Sequence, residues 1–445
     1  MKLSMLLIHL SDVHLKSADH KNPMDPNQLL RAKLQEDISH MCDTLGKSPK
    51  TIIISGDIAF SGQEKEYQFA QEWLQELCTN VGADYSSIFI TPGNHDIDRT
   101  VSENGVVSAL IDKVRATKKG DTEQELIKII NEKSIAELLL KQIENYNNFA
   151  RNFACDLNFN DKLHVTRRIE IEDGISLVLW GLNSVVVSDS KDSESDKNLF
   201  VVPSYRTILE QDGEVNIVVC HHPHNWLGNG KEFHEHVTNT AKILLFGHEH
   251  ENRFVPTQDY IHISASAVIP DRDGGKTIPG YNIFNINLQD EGAEKSIVID
   301  LYMREWQNNP PKFREKQPKA NSPYLRNIFP IKKARARNGS STKTTSELSN
   351  LQKKTDIAEF ISTQIPEQHS NTDTIQHDER SLQFLFMNLS ISDRRSIARS
   401  LNIDISELRH LNDKDASNAI LNIIFSQNLD SELHMKIIEK SRTEK

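Results

Sequence analysis

Thr51-Ile52-Ile53-Ile54-Ser55-Gly56-Asp57 is a β-branched apolar run that ends at turn residues and then delivers a carboxylate. A run this short, closed by Gly, reads as a strand buried on both faces, the kind found in parallel sheets. Four more stretches repeat the design. Asp12-Val13-His14 follows Leu6-Leu7-Ile8-His9-Leu10, and Gly93-Asn94-His95-Asp96 follows the run at 87–91. His221-His222-Pro223 follows 215–220, and Gly247-His248-Glu249-His250 follows 242–246. Open α/β sheets gather ligands at the carboxyl ends of their strands, which is where these residues fall. The five stretches therefore set the fold class, α/β, and the place of the site.

The residue types suit two divalent cations held close together. Such a pair needs oxygen and nitrogen ligands from separate segments, one ligand shared, and open positions for water and substrate. Asp12 and His14 are two residues apart, which puts both side chains on one side of an extended segment. Asp57 is the natural shared ligand, because a carboxylate can neutralise both ions. Asn94 offers a neutral oxygen, and His221, His248 and His250 offer imidazole nitrogens.

Outward from these motifs, residues 1–306 read as one domain. Leu29, Leu30, Leu34, Ile38, Met41 and Leu45, then Tyr67, Phe69, Ala70, Trp73, Leu74 and Leu77, follow helical spacing between strands. Strand-like runs near 259–265, 281–288 and 296–303 lack intervening helices and predict an antiparallel edge or a second sheet. Charged, helix-favouring sequence at about 100–160 predicts a helical insertion over or beside the site, since an unstructured loop of that length is out of place in a compact domain. The Ser/Asp/Lys-rich stretch 188–198 reads as a mobile surface loop. Pro and Ser/Thr content predicts a linker over 307–375. Nine Lys/Arg face one acid, Glu315, between Lys312 and Arg337, so the linker reads as a solvated tether or a weak contact to nucleic acid or an acidic partner. Residues 376–445 contain no Gly or Pro and repeat apolar residues at helical spacing, which predicts a small all-α bundle for binding or assembly.

Taken in order, D-x-H, G-D, G-N-H-D, H-H-P and G-H-x-H resemble the motifs of the calcineurin-like metallophosphoesterase superfamily over residues 1–306. H-H-P after an apolar strand resembles most its cyclic-nucleotide and glycerophosphodiester phosphodiesterase branch. The resemblance implies a four-layer αββα sandwich and two divalent ions, Mn, Fe or Zn. It implies that Asp12, His14 and His250 hold one ion, that Asn94, His221 and His248 hold the other, and that Asp57 bridges them. His95 matches the family's non-ligand histidine, which steadies charge at the phosphate or protonates the leaving oxygen. The implied nucleophile is a metal-bound hydroxide attacking phosphorus in line. Asp96 is expected to orient a histidine or the loop. Arg99 is a candidate substrate-phosphate contact or a structural salt bridge, and His222 a substrate contact or an orienting residue. His224, His234 and His236 read as surface histidines or a substrate-lining loop, and His9 and His262 as core or sheet-face residues.

The expected function is a dinuclear metal-dependent phosphodiesterase hydrolysing nucleotide-type substrates. One alternative is a metal-dependent nuclease effector gated by partner binding or assembly through 376–445. That segment faintly resembles the helical adaptor domains of bacterial signalling and conflict proteins. Others are a phosphomonoesterase or protein phosphatase, and a binding scaffold that has lost the chemistry. The net charge of −11 argues against a protein that coats nucleic acid, without excluding a local basic strip. No stretch approaches the ~20 apolar residues of a membrane helix, so no membrane partner is expected. The short apolar run after Lys2 reads as the first strand rather than a signal peptide. Four cysteines without metal-type spacing read as free thiols in a reducing compartment. The expected setting is cytoplasmic, with a phosphodiester substrate and, through 376–445, a protein partner or a second copy.

Overall fold

The computed structural model describes residues 4–331 apart from 119, 159–161, 173, 252, 271–276, 292–293 and 317–321. In the C-terminal part it describes 386, 391–401, 403, 413–427, 429, 432–433 and 436–437. Strands β1 (Ser4–Leu10), β2 (Pro49–Ile54) and β3 (Phe89–Ile90) run parallel, connected through helices α1 (Gln28–Leu45) and α2 (Glu64–Val81). On its other side β1 pairs antiparallel with a later strand at 280–291, so the first sheet continues into the end of the domain.

The chain next makes five helices, α3 (Arg99–Ser102), α4 (Gly105–Arg115), α5 (Thr122–Asn131), α6 (Lys133–Leu140) and α7 (Glu144–Ala150). It then builds a second sheet from β4 (His164–Glu172), β5 (Ile175–Leu182), β6 (Glu214–Cys220), β7 (Ile243–Phe246), β8 (Arg253–Pro256) and β9 (Ile261–Ser264), with α8 (Gly230–Thr240) between β6 and β7. The order is β4-β5-β6-β7-β9-β8, parallel except at the two edge strands. Period-two alternation divides its faces. Leu177, Leu179, Ile217, Val219, Leu245 and Ile263 join the large core that also holds Leu34, Ile38, Ala70 and Leu74 of α1 and α2. Val218, Cys220, Leu244 and Phe246 face the other way, onto Phe233 and Val237 of α8. The fold is the expected mixed α/β arrangement of two sheets with helices packed on them.

Residues 307–331 depart from the expected linker. The chain returns to the first sheet in β10 (Gly280–Glu291) and β11 (Glu294–Asn308), then adds β12 (Pro311–Glu315) and β13 (Leu325–Ile331), both antiparallel to β11. Of the charge that reads as a tether, Lys312, Arg314 and Arg326 lie on exposed positions of this ribbon. Phe313, Leu325, Phe329 and Ile331 are buried, while Arg314 pairs with Glu305 at 2.8 Å and Arg326 with Asp300 at 2.6 Å. Pro and basic residues mask the alternation in sequence. The remainder of the expected linker, 332–375, lies outside the described residues.

The insertion packs Val107, Ile111, Leu126, Ile130 and Leu139 against Val186, Val187, Phe200 and Val202. Arg115 fixes the stretch read as a mobile loop. Its guanidinium donates to Asp189 (2.8 Å), Asp192 (2.7 Å) and the carbonyls of Val187 (2.7 Å) and Asn198 (3.2 Å). Both carboxylates are largely buried, so removing the cation leaves two charges in low dielectric. Arg115→Ala is expected to lower stability by about 3–5 kcal/mol. Denaturant unfolding gives the magnitude, and early proteolysis within 188–198 reports the local release. An unchanged midpoint would refute the assignment.

All four cysteines are buried free thiols. Among the described residues no helix is long and apolar enough to cross a membrane. In the separate C-terminal unit, α9 (Ile391–Ser400) and α10 (Asp413–Ser426) share a core of Phe386, Ile397, Ile420, Leu421, Ile424 and Leu433.

Candidate metal centre

Each motif sits just beyond a strand end: Asp12 and His14 after β1, Asp57 after β2, Asn94 and His95 after β3, His221 after β6, His248 and His250 after β7. The first sheet thus supplies three of the motifs and the second sheet two. Backbone hydrogen bonds lock these loops together. The amide of Asp12 donates to the Gly56 carbonyl at 3.1 Å, that of Gly247 to His221 at 3.0 Å, and that of Ile269 to Asp12 at 3.1 Å. Sharp turns at the strand ends are needed to aim the side chains inward. Asp12, His14, Asp57, His248 and His250 have φ of 52°, 47°, 54°, 70° and 55°, a left-handed conformation that costs a non-glycine residue about 1–2 kcal/mol.

The side chains converge on one cage. Ligand atoms of Asp12, His14 and His250 lie within 4.8 Å of one another, as do those of Asp12, Asp57 and His221. The Asn94 side-chain oxygen is 3.0 Å from His221 Nε2 and 2.9 Å from His248 Nδ1. His221 Nδ1–H donates to the Ser55 carbonyl at 2.8 Å, so in neutral imidazole Nε2 carries a lone pair and points it at another acceptor. His14 is fully buried with neither ring nitrogen hydrogen-bonded, and its Nε2 stands 3.8 Å from Asp12 and 3.9 Å from Asp57. Lone pairs aimed at one another across a few ångströms, with an orphaned buried imidazole among them, fit divalent cations of borderline softness.

The electrostatics agree. Burial alone would raise the carboxyls of Asp12 and Asp57, but the neighbouring imidazoles outweigh it: His14 and His250 for the first, His221 and His95 for the second. Both are held below the usual carboxylate range. For His221 burial opposes the charged form, yet the Asp57 and Asp12 carboxylates push it up to about 9. Burial and the charge of His221 bring His248 down to about 3. The two carboxylates thus draw positive charge to His221, where a metal ion would replace the proton, while His248 stays neutral, as a metal ligand must be.

His95 is held differently. Its Nδ1–H donates to the Phe60 carbonyl at 2.7 Å, and its amide donates to Asp57 Oδ1 at 2.7 Å. With Nδ1 committed, Nε2 is the nitrogen available to the site. Asp96 organises the loop, as expected, through backbone groups and not through a histidine. It accepts from the amides of Ile58 (3.1 Å), Ala59 (3.0 Å) and Gly93 (2.9 Å) and from the Tyr67 hydroxyl (3.0 Å). Burial, then the charge of Asp57, pushes its carboxyl up to about 6.

Other candidates fall elsewhere. His222 is fully buried, bonded to Ser184 at 2.9 Å and tilted against His248 at 4.5 Å, its ligand atom clustered with those of His221 and His248, so it has no exposed surface to offer a substrate. Arg99 lies exposed at the first turn of α3 and forms no salt bridge among the described residues. The His224 and His234 rings meet at a tilt with centroids 4.3 Å apart and His262 nearby, His236 bonds to the Ile208 carbonyl, and His9 is buried against Ser55. The orienting carbonyls of Ser55 and Phe60, and the Trp226 ring set edge-on to His248 at 4.2 Å, escape sequence reading. Backbone carbonyls have no residue-type signature, and Trp226 sits in an irregular segment after H-H-P.

A family model described as calcineurin-like phosphoesterase matches residues 5–252. The chain is 34% identical over 94 residues to the glycerophosphodiester phosphodiesterase GpdQ of Enterobacter lignolyticus, covering 21% of this chain and 30% of that protein. It is 21% identical over 276 residues to the metallophosphoesterase-like protein YydB of Bacillus subtilis, covering 58% and 53%. The matches thus span under a third of the first relative's length and about half of the second's. Among solved structures, the GAP50 anchor of the Plasmodium inner membrane complex aligns over 85% of this chain and 100% of its own, with 11% identity and a TM-score of 0.37.

Proposed function

The chain belongs to the calcineurin-like phosphoesterase family, which makes it a metal-dependent phosphoester hydrolase, and from that premise we propose a dinuclear phosphodiesterase acting on nucleotide-type substrates. The observation that carries the reading is the convergence of seven donors with the orphaned His14 among them. Asp12, His14 and His250 would hold one ion, Asn94, His221 and His248 the other, with Asp57 between. When bound, the ions supply Lewis acidity, which lowers the pKa of water towards neutrality and offsets charge growing on the phosphoryl oxygens.

The chain's own residues do the rest. The Ser55 and Phe60 carbonyls fix the tautomers of His221 and His95. With Nδ1–H held by the Phe60 carbonyl, His95 in its imidazolium form would present a second N–H at Nε2 and, on giving that proton to the leaving oxygen, would return to the neutral Nδ1–H tautomer. The diester preference draws support from the partial likeness to a glycerophosphodiester phosphodiesterase. The test is hydrolysis by Mn²⁺-loaded protein of bis- and mono-p-nitrophenyl phosphate, cyclic mononucleotides and short oligonucleotides. Turnover of monoesters alone would overturn the diester assignment.

A proton donor matters most for poor leaving groups. His95→Ala is expected to lower kcat by about 10²–10³ on a nucleotide diester and far less on a p-nitrophenyl diester, with metal content unchanged. Equal losses on both substrates would remove the proton-donor role.

A further inference from the structure

Lys16 follows His14 by two residues, and its setting gives it a part in substrate selection. The chain after β1 runs beside the chain after β2. The amides of Val13 and His14 donate to the Asp57 carbonyl at 2.8 and 3.0 Å, that of Leu15 to Ile58 at 3.0 Å, and that of Phe60 to Leu15 at 3.2 Å. This register brings the Lys16 ammonium over the Phe60 ring, 3.7 Å from its centroid. The same Phe60 holds His95 through its carbonyl, and its ring lies 5.3 Å from the His95 ring and 6.1 Å from that of His14. Lys16, Phe60, His95 and His14 therefore form one continuous patch, running from half-exposed to fully buried.

Lys16 forms no salt bridge among the described residues, whereas Lys21 a few residues on is tied to Glu72 at 3.0 Å. An ammonium resting on an aromatic face keeps its position while leaving N–H donors free for an anion. The ammonium and the His95 ring share Phe60 as a neighbour, 3.7 and 5.3 Å from its centroid, and Lys16 belongs to none of the ligand clusters of the cage, so it is placed for an anionic group beside the one the cage would hold. Resting on the phosphodiesterase reading above, we propose that Lys16 binds a second anionic group of the substrate, so that the site prefers diesters bearing another phosphate on the neighbouring nucleotide over lone diesters.

The experiment compares a thymidine dinucleotide with and without a 5′-phosphate, using the full chain loaded with Mn²⁺. The wild type should favour the phosphorylated form in kcat/KM by about tenfold, through KM. Lys16→Gln should collapse that ratio towards one, Lys16→Arg should restore most of it, and Lys21→Gln should leave it intact. A ratio keeps general damage to the site from mimicking the effect. Dissociation constants for the same pair with an uncleavable methylphosphonate linkage should show the same preference without turnover. If the wild type cleaves neither dinucleotide yet binds the phosphorylated one more tightly through Lys16, the nucleotide-diesterase reading fails and the anion site stands. A binding ratio near one in the wild type, or one unchanged in Lys16→Gln, overturns the proposal.

Discussion

Asp57→Asn is expected to lower turnover of a phosphodiester substrate by at least about a thousandfold and to abolish divalent-ion binding. The substitution keeps the volume and removes the charge on which the cage is centred. One carboxylate oxygen accepts from the His95 amide at 2.7 Å, and the other lies 3.2 Å from His221 Nε2. An amide there turns one oxygen into an N–H donor and releases the pull that holds His221 near 9. Metal content after dialysis, by plasma emission, and kcat on a diester are the two readouts. Circular dichroism should stay native, because β2 ends before Asp57. Full metal stoichiometry with full turnover would sink the assignment of Asp57 as the shared ligand.

Gly93→Ala is expected to do comparable damage by shape alone. A Cβ at that position would fall 2.1 Å from Asp57 Oδ1 and 2.5 Å from the Asp57 amide nitrogen. Neither neighbour can yield cheaply, since Oδ1 is engaged by His95 and the Gly93 amide is itself held by Asp96 at 2.9 Å. The expected cost is about 3 kcal/mol or more of stability, together with loss of metal binding. Gly105→Ala is the matched control. A methyl there meets nothing within 4 Å, in a helix where Ala is favoured, and stability should hold or rise by about 0.5 kcal/mol. Denaturant midpoints of the two variants separate the outcomes, and equal midpoints would refute the steric argument.

The cage was legible because metal chemistry admits few residue types, and each one here trails an apolar run. Asp12, His14, Asp57, Asn94, His221, His248 and His250 could be picked out without knowing how the strands pair. Their partition between two sheets could not be read, since it follows from β10 returning to β1 far along the chain. Nor was the extent of the domain. Leu325, Phe329 and Ile331 turn inward between charged and Pro neighbours, and no local pattern separates that ribbon from a tether. Asp189 and Asp192 read as loop polarity because their partner, Arg115, is more than seventy residues away. His222, adjacent to His221, reads as a substrate contact by position, yet it is fully buried among His221, His248 and Ser184.

The left-handed backbone at Asp12, His14, Asp57, His248 and His250 has an evolutionary consequence. At each position Gly or Asn relieves conformational strain, and exchanging a buried carboxylate or imidazole also relieves desolvation. Selection of random variants for heat tolerance alone, without ions or substrate, should therefore enrich changes at these five positions ahead of the core. The survivors would be sturdier and inert. Activity screening must accompany any effort to toughen this enzyme, because fold and chemistry make opposite demands on the same five residues.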